Sequence, residues 1–330
     1  MIPFGYSRPK DVTEAIALEG RQPQSKFLGG GTNLVDLMKM GVENPAHLID
    51  ITRLPLSQIE ERPEGVRIGA MVRNSDLAAH PLILRKYPIL SEAILAGASP
   101  QIRNMATTGG NLLQRTRCPY FYDPSYAECN KRVPGSGCAA IQGFNRMHAI
   151  LGGSDQCIAT YPGDMAVGLT ALDASVVIRG PRGERSVPID NFYRLPGATP
   201  RIEHDLNANE VIVAVDLPAG SAGLRSHYVK VRDRNSYAFA LASAAAVVDI
   251  GPDNRIRQAR IALGGVATKP WRVPEAEMSL RGKAAGEPAF REAAEILVRG
   301  AEPHRYNAFK VELARRAAVR ALTAASEGEK

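Results

Sequence analysis

Residues 26–34 read Lys26-Phe27-Leu28-Gly29-Gly30-Gly31-Thr32-Asn33-Leu34. A short apolar strand enters three glycines and leaves as a helix whose apolar positions are Leu34, Leu37 and Met38. Glycine lets a backbone come within hydrogen-bond distance of a diphosphate, and the helix that follows offers unpaired N–H groups and positive dipole to that charge. Thr32 and Asn33 add side-chain donors. The spacing is not G-x-G-x-x-G and no Gly-Lys-Ser/Thr follows, so neither common nucleotide fingerprint is present. Taken alone, the turn could equally be structural.

A second element of the same chemistry stands at Ala106-Thr107-Thr108-Gly109-Gly110-Asn111-Leu112, led in by Ile102-Arg103-Asn104. Two hydroxyls, two glycines and an amide supply small donors and close backbone approach, as a phosphate or ribitol chain requires. Two such turns within the first 115 residues predict a dinucleotide clamped from two sides.

Outward from these turns the chain alternates short apolar runs with helical patterns. A helix capped by Asp11 is expected, with strands at 47–51 and 66–70, a helix from about Asp76 capped by Asn74 or Ser75, and helical spacing over 82–96 broken at Pro88. A helix at 165–172 and strands at 174–178 and 211–217 follow. A further strand set at 228–231, 239–250 and 257–263 precedes a mainly helical tail over 287–326. The small turn residues Pro218-Ala219-Gly220-Ser221 separate the two sets, which places one domain at 1–221 and a second at 222–330. With 330 residues, two domains are also the prior from length. Hydrophobic residues at 45% and charged residues at 23% argue for a folded globular chain, and no apolar run is long enough to span a bilayer. The net charge of +7 is scattered rather than gathered into a basic stripe with interleaved aromatics, which argues against nucleic-acid binding.

The stretch from about 115 to 160 differs in texture, being rich in Pro, Gly, Asn and Tyr with little periodicity, and reads as an ordered insertion. It holds all four cysteines, Cys118, Cys129, Cys138 and Cys157, with 10, 8 and 18 residues between them. Clustering of this kind implies a shared task. The spacing fits no zinc-finger pattern and contains no C-x-x-C, so it leaves zinc, a cluster and disulfides open. His148, in the same stretch, reads as a hydrogen-bonded loop histidine rather than a ligand. No Ser–His–Asp set, H-E-x-x-H motif or convincing carboxylate pair is present, so no catalytic residue is assigned.

Together, Gly-Gly-Gly-Thr-Asn-Leu, Ile-Arg-Asn-x-Ala-Thr-x-Gly-Gly-Asn and Tyr228-Val-Lys230-Val-Arg resemble the FAD-binding subunit of the molybdenum hydroxylases, the xanthine dehydrogenase and aldehyde oxidoreductase family. The resemblance covers essentially the whole chain. It implies an α+β fold, with a two-subdomain FAD-binding domain of the vanillyl-alcohol oxidase type followed by a smaller sheet-plus-helices domain. It also implies that Lys26 to Leu34 hold the FAD diphosphate, that Thr107 to Asn111 grip its other side, and that Asp164 bonds to the FAD. Asp164 could also be a helix N-cap. Ile212 and Lys230 match positions near the isoalloxazine, where a cation would favour the anionic reduced ring.

The strings around the cysteines, Cys118-Pro119-Tyr120, Cys129-Asn130-Lys131-Arg132, Pro134-Gly135-Ser136-Gly137-Cys138 and Ser154-Asp155-Gln156-Cys157, resemble the insertion in the flavin subunit of bacterial periplasmic-type aldehyde oxidoreductases. That resemblance implies one [4Fe–4S] cluster on the four thiolates, with Lys131, Arg132, Arg115 and Arg117 offsetting its charge. The implied assembly is a heterotrimer. A molybdenum-cofactor large subunit oxidises an aldehyde, a [2Fe–2S] small subunit relays electrons, and this chain passes them from FAD to an external acceptor. The alternatives are the flavin subunit of a 4-hydroxybenzoyl-CoA reductase-like enzyme, a free-standing flavoprotein oxidase, and a zinc-stabilised basic binding module. The N-terminus carries no secretory signal, so the expected compartment is the cytoplasm, or the periplasm by export with a partner bearing a twin-arginine signal.

Overall fold

The computed structural model describes residues 1–22 and 24–328. Three sheets organise them. The first is a small parallel sheet of β1 (Gly5–Ser7), β2 (Ser25–Leu28) and β3 (His47–Asp50) in the order β1-β3-β2. The second is antiparallel, formed by β4 (Ile59–Arg62), β5 (Gly65–Gly69), β6 (Ser175–Gly180), β7 (Gly183–Pro188) and β8 (Val211–Pro218) in the order β4-β5-β8-β6-β7. The third, also antiparallel, runs β12-β11-β10-β9 and comprises β9 (Arg225–Val231), β10 (Ala242–Ile250), β11 (Ile256–Gly264) and β12 (Trp271–Arg272).

Side-chain alternation explains how the third sheet joins the rest, since successive residues of a strand face opposite sides. Tyr228, Ala245, Val247 and Ala262 face the helices Pro88–Ala96 and Asp164–Ala171 and belong to the core of the first domain. Val229, Ala244, Ala246, Val248, Ile261 and Leu263 face the other way, onto the helices Pro274–Leu280, Glu287–Leu297 and Phe309–Glu327. The last helix offers Ala314, Ala317, Ala318 and Ala321 to this face. Small residues on both surfaces let helix and strands approach closely.

Two sequence expectations shift. The helix after β5 starts at Asn74 itself, with Arg73 in the cap position and no side-chain cap, because the Asn74 amide is engaged with Asn111 instead. Residues 239–241 lie outside β10, which begins at Ala242; the preceding turn takes Tyr237 to φ 51°, and its carbonyl accepts from the Arg234 guanidinium.

The cysteine-rich insertion carries only the short helices Pro119–Tyr122 and Ala139–Gln142, yet it is fastened on both sides. Toward the first domain, Arg115 bridges Glu43 and Glu203, each at 2.5 Å, and Lys131 reaches Glu203 at 2.7 Å and the Pro200 carbonyl at 3.0 Å. Toward the second, Lys310 from the last helix is fully buried and donates to the carbonyls of Met147 (3.2 Å), His148 (2.9 Å) and Gly265 (2.5 Å). Three acceptors match the three donors of an ammonium, which is how a lysine can be buried without a carboxylate.

Burial alone would raise the Glu203 carboxyl, but Arg115 and Lys131 hold it at about 2, against an ordinary 4.5. Its pairing therefore stabilises the fold fully above pH 4.5, and that contribution is lost as pH falls toward about 2. Glu203→Gln, which leaves the buried Lys131 without a carboxylate while Arg115 keeps Glu43, is expected to cost about 3 kcal/mol at neutral pH. Urea unfolding of both proteins along a pH series should show a constant gap at neutral pH that narrows once the wild-type carboxylate begins to protonate.

Candidate functional site

The two glycine-rich turns meet. A Cβ on Gly30 would stand 1.8 Å from the Met105 carbonyl oxygen, and one on Gly29 would stand 3.0 Å from Thr107 Oγ1. Only glycine permits this approach of backbone to backbone. Gly31 follows at φ +74°, turning the chain into the helix Leu34–Lys39.

The second turn proves to be the start of a short helix, Thr108–Leu112, whose N-cap Thr107 accepts from Gly110 N through its hydroxyl at 3.3 Å. Thr108 is buried, and both its amide and its hydroxyl donate to the Val72 carbonyl, at 2.9 and 3.0 Å. Gly109 N donates to the Ala70 carbonyl at 2.8 Å. These bonds fix the helix against the end of β5.

Beside the turns lies a cavity of about 740 Å³, walled by both domains. Thr32 and Asn33 of the first turn, Gly110 and Asn111 of the second, Asp164, and Lys230 all border it. The amides are held in a relay: Gln114 Nε2 donates to Asn111 Oδ1 at 2.9 Å, and Asn111 Nδ2 donates to Asn74 Oδ1 at 2.9 Å. Asn33 Oδ1 accepts from the Arg115 amide at 2.9 Å, which ties the first turn to the root of the insertion.

Asp164 is the first residue of its helix, with Gly163 in the cap position, so it is not the N-cap. Its carboxylate instead accepts from Lys230 Nζ at 2.8 Å and from the Tyr228 hydroxyl at 2.6 Å. Both charged side chains are almost wholly buried, at 8% and 4% exposure. Lys230 Nζ and Arg232 also donate to the Ala96 carbonyl, at 3.0 and 2.9 Å. Cations at that helix C-terminus meet its negative dipole end. Burial, with the Asp164 charge behind it, pushes the Tyr228 hydroxyl well above its ordinary pKa, so it stays a donor.

A smaller cavity of about 170 Å³ adjoins the first and is lined by Arg117, Cys118, His148 and Phe239 among others. Arg117 borders both. Its guanidinium, lowered in pKa by burial, lies over the rings of Tyr122 (5.4 Å) and Phe239 (5.3 Å) and bonds to the Tyr122 hydroxyl. Of the four cations near the cysteines, Arg115 and Lys131 are committed to glutamates, and Arg132 to the carbonyls of Tyr120, Phe121, Asp123 and Tyr126. Among the described residues, Arg117 is the member of that set that pairs with neither a carboxylate nor a backbone carbonyl.

All four cysteines are free thiols, so the disulfide alternative is not realised. Cys129 and Cys138 face each other across an isolated antiparallel bridge, and Cys138 and Cys157 share a thiol hydrogen bond. Donating that bond, and burial, push the Cys157 thiol up, while accepting it pulls Cys138 down. Burial pushes Cys118 up to about 12, with smaller contributions from Cys129 and Cys138. Among the described residues no group of three or more His, Cys, Asp or Glu side chains is placed to hold a metal ion.

Residues 2–220 match the family described as FAD binding domain in molybdopterin dehydrogenase, and residues 227–325 match the CO dehydrogenase flavoprotein C-terminal domain. The chain belongs to the FAD-binding subunits of the molybdopterin dehydrogenases. It is 52% identical over 315 residues to the aldehyde oxidoreductase FAD-binding subunit PaoB of Escherichia coli (strain K12), covering 95% of each chain. Among solved structures it is similar to carbon monoxide dehydrogenase from Hydrogenophaga pseudoflava, at 32% identity and a TM-score of 0.77 over 98% of both chains. It is also similar to reconstituted CO dehydrogenase from Oligotropha carboxidovorans, at 26% identity and a TM-score of 0.78 over the whole of both chains. The molecule is thus a FAD-dependent oxidoreductase subunit with the two-domain α+β architecture of that family.

Against this molybdopterin-dehydrogenase fold, the expected cofactor residues fall into three groups: those that border the large cavity, those that shape the turns, Gly29, Gly30 and Gly31 among them, and Ile212. Thr32, Asn33, Gly110, Asn111, Asp164 and Lys230 border the large cavity. Lys26, exposed on β2 and 3.7 Å from Glu43, Phe27, Leu28, Leu34, Thr107, Thr108 and Gly109 stand behind or beneath it, where they shape the turns. Ile212 is buried in the first domain's core, paired with Ile178 across β6, and does not border the cavity. Arg117 and Asn74, which the sequence assigned to the cysteines' charge and to a helix cap, also border the large cavity, and sequence reading missed Tyr122 and the loop residues Tyr237 and Phe239. The clue for the last two was a pair of aromatics interrupting a polar run, which reads as the start of a strand.

Gly30→Ala is expected to push the two turns apart and to lower the FAD retained per chain after gel filtration, measured by flavin absorbance. Gly220→Ala, at a glycine with open space around it, should retain the wild-type flavin content.

Proposed function

We propose that this chain is the FAD- and [4Fe–4S]-carrying electron-transfer subunit of a heterotrimeric molybdenum aldehyde oxidoreductase. The observation that carries the reading is the cavity walled by both glycine-rich turns and floored by the Asp164–Lys230 pair, set directly beside the cysteine-rich insertion. When bound, FAD supplies the exchange of electron pairs for single electrons, which no side chain of this chain provides. The turns place small backbone and amide donors where a diphosphate needs them. Lys230, held in place by Asp164 and the Ala96 carbonyl, brings an ammonium donor to one end of the cavity, its charge balanced by the Asp164 carboxylate.

Four soft thiols with no carboxylate among them suit iron and sulfide. Identity of 52% to an aldehyde oxidoreductase subunit supports the aldehyde over the acyl-CoA assignment, and partners carrying the molybdenum cofactor and [2Fe–2S] centres belong to that same reading.

Anaerobic purification of the native complex, with acid-released FAD, iron and sulfide counted, tests this directly. The chain should account for one FAD and for four iron and four sulfide beyond those of its partners. Cys129→Ser should lose that iron while keeping FAD. Zinc in place of iron, or four iron-free thiols, would remove the cluster; a complex without flavin would overturn the whole proposal.

A further inference from the structure

Arg117 and Tyr122 stand at the root of the cysteine-rich insertion, yet both border the large cavity on the side of the first glycine-rich turn. Asn33 joins them to that turn. Its amide is held at both ends: Oδ1 accepts from the Arg115 backbone N–H at 2.9 Å, and Nδ2 donates to the Tyr122 hydroxyl at 3.4 Å. A donor that the sequence offers to a ligand is therefore directed at Tyr122. The same hydroxyl oxygen accepts from Arg117 Nη1. With both bonds arriving at oxygen, the phenolic proton is left to donate, and it has no acceptor among the described residues.

Arg117 is in a similar position. A guanidinium carries five N–H donors in a planar fork, and the bond to Tyr122 engages one of them. The rings of Tyr122 and Phe239 hold the group by its faces, which engages none of the others. The remaining cations at this cavity are committed: Lys230 to Asp164, Arg103 to the Gly97 carbonyl and Arg234 to the Tyr237 carbonyl. Of the carboxylates there, Asp164 is paired with Lys230 and Asp233 with Arg146, while Asp36 is exposed to solvent, where its charge is screened. Beside a turn of small neutral donors, the wall thus presents one guanidinium edge and one hydroxyl proton without acceptors. A diphosphate is made of acceptors only, carries negative charge, and has oxygens spaced for a guanidinium fork.

We propose that Arg117 and Tyr122 bind the diphosphate of FAD, so that the cysteine-rich insertion completes the flavin site. The inference rests on the FAD reading above and is independent of what the four cysteines hold. It divides the work of binding: the glycine-rich turns supply close approach and neutral donors, and the insertion supplies the charge.

The test uses the intact complex. Phosphorus NMR of the bound flavin reads the diphosphate directly. In FAD-replete Tyr122→Phe, which keeps the ring beneath Arg117, and in FAD-replete Arg117→Lys, the diphosphate resonances should move while the flavin midpoint stays at its wild-type value. Wild-type resonances in both variants overturn the proposal, as does a displaced flavin midpoint with unmoved resonances, which would put Arg117 at the isoalloxazine instead. Titration of the flavin-stripped complex with FAD gives the size of the effect. Arg117→Met should weaken binding about ten- to a hundredfold, the range for losing a hydrogen bond to a charged group, and Arg117→Lys should recover part of it. Equal FAD affinity in wild type and Arg117→Met overturns the proposal. If Arg117→Met does not assemble, the resonances of Tyr122→Phe decide. A wild-type complex that holds no flavin refutes the FAD reading, and with it this inference.

Discussion

The Asp164–Lys230 ion pair is the interaction on which the site depends. One partner opens a helix of the first domain and the other sits on the second domain's sheet, so their 2.8 Å contact fixes the distance across the cavity. An isolated charge at such depth would be expelled or neutralised, which is why each partner has further bonds. Tyr228 completes the carboxylate, and the Ala96 carbonyl completes the ammonium. The shared core around Tyr228, Ala245 and Val247 then surrounds this polar knot with apolar contacts and keeps water from competing for it.

Electrostatics also separates the roles of the cations near the cysteines. Arg115 and Lys131 are consumed in holding the insertion to the first domain, and Arg132 in closing a loop on itself. Arg117, between two aromatic rings and bordering both cavities, is left as a half-buried cation facing the space between the large cavity and Cys118. Favourable contact with ring faces offsets part of its desolvation, and an anionic group nearby would offset more.

Much of this was legible in the sequence where local chemistry dictates geometry. The Gly29–Gly31 and Gly109–Gly110 turns, the strands around them, and the change of texture at the insertion were all readable, because glycine runs and period-two apolarity act over a few residues. What escaped was set by partners distant in the chain. Thr108 looks like a ligand donor, but its hydroxyl donates to the Val72 carbonyl, while the Thr107 hydroxyl oxygen accepts from Gly110 N. Asp164 has the pattern of a cap, yet a lysine in another domain claims it. Ile212 carries nothing in its own neighbourhood to mark it as core rather than cavity, since both are apolar settings. His148 read as an ordinary loop histidine, since its closeness to Cys118 is created by contacts from residues 304–310.

The buried Lys310 also orders events during biosynthesis. The insertion is synthesised long before the final helix, and until that helix leaves the ribosome the carbonyls of Met147, His148 and Gly265 lack the ammonium that gathers them. The insertion thus passes through translation anchored on one side only. Docking of the last helix closes that segment, with the C-terminal helix as its latch.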